Sequence, residues 1–215
     1  MNWALEAEQL IQDAAGDDLP VCYCCDAATL PAEYDRAGFA GYTASFLDVL
    51  LEQPLRDEMR WRGRGHASVI FCNRIESDYF ALGVAAHEAT HHLDLLAELG
   101  QPADAIGVPP GDLRALLCEP IPQGKEAQPE HGLAFIRAGL HLAFRIQRLP
   151  GVSHFGVDAM RIAGSRYGLS HVYHYMEAIG DERQERIGEP ITRILKSPAP
   201  AEFAALFASD IARAA

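Results

Sequence analysis

The pentad His87-Glu88-Ala89-Thr90-His91 lies in the middle of the strongest helical pattern in the chain and constrains the fold more than any other feature. Ser77-Asp78 offers an N-cap, and Tyr79 to about Leu99 runs at helical spacing until Gly100-Gln101-Pro102 stops it. On a helix His87 and His91 stand one turn apart on one face, so two imidazoles reach one cation without bending the backbone. Glu88 is turned about 100° from His87. That offset suits a carboxylate that takes a proton from an activated water rather than one that ligates. Leu82, Val84, Ala85 and Ala86 are small or apolar, so the opposite side of the helix is expected to be buried. Two histidines and a glutamate buried together are costly unless a metal or partners compensate them. His92 points away from the pair and is expected at the surface or behind a ligand.

Around this helix the chain reads as α+β and mainly helical. Residues 1–15 form an amphipathic pattern ended by Gly16-Asp17-Asp18, and Val21–Cys25 reads as a strand. Residues 30–41 read as loop. From Thr43 the residues Phe46, Leu47, Leu50, Leu51, Leu55 and Met59 recur at helical spacing, with Pro54 as a kink. Ala67–Cys72 is rich in β-branched and aromatic residues and reads as a strand; it is also a candidate edge on which an extended peptide would pair. Residues 101–129 hold six prolines, among them Pro109-Pro110, with a short helical piece near Asp112–Leu117. An irregular connection of that length is usually functional. Further helices are expected from Pro129-Glu130 to about Arg148, over most of 155–180 and over Ala201–Ala214.

Composition limits the function classes. At 215 residues, with 49% apolar and 22% charged residues, the chain fits a single globular domain over 1–215. A net charge of −12 argues against a broad nucleic-acid face. The cluster Arg60-Trp61-Arg62-Gly63-Arg64 reads instead as a helix end. No apolar run is long enough for a bilayer, and Met1–Glu8 lacks the basic and apolar regions of a secretory signal, so a cytoplasmic protein is expected. Five cysteines, three of them in Cys22-Tyr23-Cys24-Cys25, suit a buried strand of thiols better than a disulfide framework or a second metal site.

Two histidines leave a zinc site incomplete; a third protein ligand is needed, with water as the fourth. No His-x-x-Gly-x-x-His continuation follows His91. The remaining candidates are Glu98, Glu119, Glu126, Glu130, His131, His141, His154, His171, His174 and Glu177.

Among these, Glu130-His131-Gly132-Leu133-Ala134-Phe135 resembles the His-Gly-x-x-Phe element of the SprT-like zinc metallopeptidases, and the resemblance covers residues 67–147. It departs from the family in a longer His91–His131 interval, in Leu133 where a proline is common, and in having no downstream zinc ribbon. The resemblance implies a zincin-like domain in which His131, at a helix start, completes the metal site begun by His87 and His91. Physical reasoning runs the same way: Gly132 leaves room for close approach to the long helix, and Phe135, one turn on, can wedge His131.

The expected protein is therefore a zinc-dependent hydrolase, a metallopeptidase acting on a peptide or protein substrate. One zinc per chain is held by His87, His91 and His131, and Glu88 is the general base. An oxyanion donor is sought among Tyr167, His171, Tyr173, His174 and Tyr175, whose alternative role is core packing. Asp94 or Glu98 is a candidate to orient a ligand histidine. The rival reading is a non-catalytic module in which zinc staples helices, and hydrolysis of a non-peptide amide is a third. Substrate identity and oligomeric state stay open at this point.

Overall fold

The computed structural model describes residues 3–19, 21–26, 41–45, 67–72, 77–99, 131–152 and 172–214. The proline-rich segment 101–129, the expected helix beyond Ser45, the Arg60–Arg64 cluster, Tyr167 and His171 lie outside them.

Helix α1, Trp3–Ala15, buries Ala4, Ala7, Ile11 and Ala14, whose spacing of three and four makes one apolar stripe. Gly16, at φ +61°, takes the left-handed conformation that ends it. Strands β1 (Val21–Asp26), β2 (Gly41–Ser45) and β3 (Ala67–Cys72) form one sheet in the order β1-β3-β2. β1 runs parallel to β3 and β2 antiparallel to it.

Two sequence expectations are corrected by this sheet. The helical pattern expected from Thr43 begins instead in a strand, with Tyr42 paired to Phe71 and Thr43 to Ile70. Tyr and Thr favour strands, and a formed β3 beside them overrides the periodicity that continues downstream. Ala67–Cys72 is also not an edge. It is paired on both sides, so its backbone polar groups are committed to β1 and β2.

The outer side of β1 is sealed by side chains. The Cys22 amide donates to Gln12 Oε1 at 3.3 Å and the Cys24 amide to Glu8 Oε1 at 3.1 Å. Four helical residues advance about 6.0 Å and two strand residues about 6.6 Å, so i, i+4 positions on α1 match alternate amides of β1. Cys22, Cys24, Cys25 and Cys72 are all buried free thiols, as the strand reading expects.

Helix α2, Asp78–Leu99, starts where the Phe80 amide donates to Ser77 Oγ at 3.1 Å. It lays Val84, Ala85, Ala89, Leu93 and Leu96 into a core shared with α1, Cys22, Cys24, Ile70 and Cys72. Helix α3, Leu133–Ile146, adds Ala138, Leu142 and Ile146 to that core. Among the described residues four helices follow: α4 (Val172–Ala178), α5 (Gly180–Glu185), α6 (Ile191–Leu195) and α7 (Ala201–Ala214). Tyr175, Ile179 and Phe203 from this part pack on Phe135, Ile136 and Leu140 in a second core. α3 is thus enclosed on several sides. Among the described residues the chain is mainly helical with one small sheet, and no helix is long and apolar enough to cross a membrane.

Candidate metal centre

α2 presents His87 and His91 on one face, with ring centroids 5.2 Å apart. His131 comes from a separate segment. α3 begins at Leu133, not at Pro129-Glu130, so His131 stands in a turn ahead of the extended N-cap Gly132. Its ring reaches 5.1 Å from His87 and 5.0 Å from His91, centroid to centroid. The ligand atoms of all three histidines lie within 4.8 Å of one another, and these residues could hold a metal ion. No other such group of three occurs among the described residues.

The donor set fits a metal. His131 Nε2 lies 3.2 Å from His87 Nε2, and two nitrogens bound to one tetrahedral zinc stand about 3.3 Å apart at ordinary Zn–N lengths. Burial lowers His87 to about 3, with His131 adding to the effect. Burial, then His87, His131 and His92, lowers His91 to about 2. Both imidazoles are therefore neutral at pH 7, the form that ligates. His87 Nδ1 is buried with no hydrogen-bond partner among the described residues.

Phe135 forms a common wall. Fully buried, it sits 5.1, 4.4 and 4.6 Å from the rings of His87, His91 and His131. It is four residues beyond His131, and it also belongs to the second core.

Glu88 is 7% exposed, and burial pushes its carboxyl up to about 8. It lies near enough to Cys72, at the end of β3, to help raise that thiol after burial has done so. A cation beside Glu88 acts in the opposite direction on its proton.

His92 is not at the surface: it is buried, and burial lowers it to about 3. Asp94 is half-buried and raised to about 6 by burial and then Glu98, while Glu98 is exposed. Neither hydrogen-bonds His87 or His91 among the described residues. Of the other ligand candidates, His141 is buried against Glu182, at 3.4 Å, and His174 and Glu177 are exposed. Glu119, Glu126, Glu130, His154 and His171 lie outside the described residues. Tyr175 donates its hydroxyl to Asp210 Oδ2 at 2.7 Å inside the second core, so it packs rather than serves the site. Tyr173 is 63% exposed.

Sequence reasoning missed one group, buried Arg137 and His141 with the partly buried Glu182. Arg137, His141 and Arg145, four apart on one face of a largely apolar helix, were the available signal. Set against family models, curated proteins and solved structures, the chain matches none.

Proposed function

We propose that this chain is a zinc-dependent peptidase of the SprT-like kind on a zincin-like domain, with His87, His91 and His131 as ligands and Glu88 as general base. One observation carries the reading: three imidazoles from two segments forty residues apart bring their ligand atoms within 4.8 Å of one another. The pentad on α2 supplies the rest, because it sets a carboxylate beside the pair rather than toward it.

A zinc ion held there supplies Lewis acidity toward a carbonyl and lowers the pKa of a water molecule. Glu88 accepts the proton of the attacking water at its carboxylate and passes it to the leaving amine. Burial raises its carboxyl to about 8, and a cation beside it would draw that value back down, leaving a carboxylate able to take up a proton near neutral pH. Phe135 holds the three rings in register and excludes water from behind them. The substrate is a peptide or protein.

The deep burial of His131 and the Phe135 wall give the rival reading, a zinc-stapled binding module, its own support. Glu88→Gln separates the two. It is expected to retain zinc and lose peptide hydrolysis by roughly 10²–10⁴-fold, whereas His91→Ala loses zinc. A wild-type chain that takes up zinc but cleaves no peptide in a broad substrate library favours the staple.

A further inference from the structure

Arg137, His141 and Arg145 lie at i, i+4 and i+8 on α3, so they share one face. That face is tied to the C-terminal helices at three levels. Arg137 donates to Glu182 through Nε at 3.1 Å and through Nη2, and to the Ser197 carbonyl at 2.7 Å. His141 Nε2 lies 3.4 Å from Glu182 Oε2. Arg145 donates to the carbonyls of Arg186 and Glu189. Glu182, on α5, is the carboxylate shared by the first two levels. Its side chain is 10% exposed and those of Arg137 and His141 are 3% and 1%.

We infer that Glu182 is a positioning residue for the metal centre: through Arg137 and His141 it fixes the axial position of α3, and with it the place of His131 against His87. The inference rests on the reading of the three imidazoles as a metal centre. Arg137 lies four residues into α3 from Leu133, about 6 Å along the helix, so that first turn moves with it as a rigid unit. The other contacts of α3 are largely apolar, and apolar packing is non-directional. Charge-assisted bonds to a bidentate guanidinium have fixed directions. Ligands must be held to within about 0.5 Å to bind a metal well, a tolerance that a small slip of α3 along its axis exceeds. His131 is joined to the first residue of α3 through Gly132 alone, so a slip of the helix moves the point from which its ring is held.

The test compares wild type with Glu182→Gln, with Glu182→Asp, which keeps the charge and retracts it by one methylene, and with Asp210→Ala. Asp210 holds Tyr175 and Arg213 and serves as a control for loss of stability alone. Zinc affinity and the visible bands of the cobalt(II) protein are measured on folded samples. Contacts between the His87 and His131 imidazoles are followed by NMR in the metal-free protein. Both Glu182 variants are expected to bind zinc more weakly, by roughly two- to thirtyfold, with altered cobalt bands and weakened His87–His131 contacts. Asp210→Ala is expected to change none of these. If Glu182→Gln does not fold, Glu182→Asp carries the comparison. Unchanged affinity, bands and ring contacts in Glu182→Asp overturn the positioning role and leave the metal reading standing. A wild type that takes up no metal, with ring contacts still lost in the variants, overturns the metal reading and leaves the positioning of His131 intact.

Discussion

Phe135→Ala removes a side chain that touches all three imidazoles, and its two effects can be sized separately. Phe135 is fully buried, in a core with Ile136, Leu140, Tyr175, Ile179 and Phe203. Truncation of such a ring costs about 3–5 kcal/mol, equal to a fall of roughly 6–20 °C in melting temperature at about 2–4 °C per kcal/mol for a chain of this size. The second effect is on the metal. With the wall gone, three rings regain freedom that binding must again remove, at about 0.5–1.5 kcal/mol per side chain. Zinc affinity should therefore fall by roughly tenfold to a thousandfold. Phe135→Leu keeps much of the volume and should fall between the two. Calorimetry in chelator reads the first effect, and competition with a chromophoric chelator at a temperature where both proteins are folded reads the second. A variant that melts as early as expected yet binds zinc within twofold of wild type would refute the role of Phe135 in holding the rings.

Zinc itself should raise the melting temperature: at a free concentration a thousandfold above Kd the gain is about 4.1 kcal/mol, and metal analysis should return one zinc per chain. A melting curve indifferent to chelator speaks against the site. In the metal-free protein, His87, His91 and His92 are lowered by burial to about 3, 2 and 3 from 6.5. Stability they contribute is full above pH 6.5 and is lost as pH falls toward 3, because only the unfolded chain takes up protons there. Glu88, raised by burial from 4.5 to about 8, works the other way and loses stability as pH rises through that window. Metal-free stability should thus peak near pH 6.5, and a flat profile from pH 6.5 to 4 contradicts the buried, neutral histidines. Asp18 accepts from the Ile191 amide and the Thr192 hydroxyl at the start of α6. Asp18→Ala should cost about 0.5–2 kcal/mol in urea unfolding with zinc affinity unchanged; a parallel loss of zinc would show that α6 matters to the site.

The helix of the pentad was legible in the sequence because a cap, a period and a stop agree over Ser77–Pro102, and local signals of that strength survive folding. The meeting of His131 with His87 was not legible from local rules; spacing left ten candidates, and only a resemblance singled one out. β2 was missed because Gly41–Ser45 carries strand-forming residues too short in number to register against the periodic run behind them. The edge assignment of Ala67–Cys72 failed for a related reason: strand order is a long-range property that no strand carries in its own residues. Glu182 escaped notice because a partly buried carboxylate on a short, polar-looking helix resembles a surface one until its partner Arg137 is seen.

The seal that Glu8 and Gln12 place on β1 also bears on the order in which the chain is made. β1's strand partner, β3, emerges about forty residues after β1 ends, a delay of about two to eight seconds at ordinary rates of synthesis. Throughout that interval β1, with its three thiols Cys22, Cys24 and Cys25, has no strand beside it from β3. α1, made just before it, already carries the acceptors spaced for alternate amides. The two amides can thus be taken by the strand's own preceding helix before β3 is made, which withdraws them from pairing with another chain.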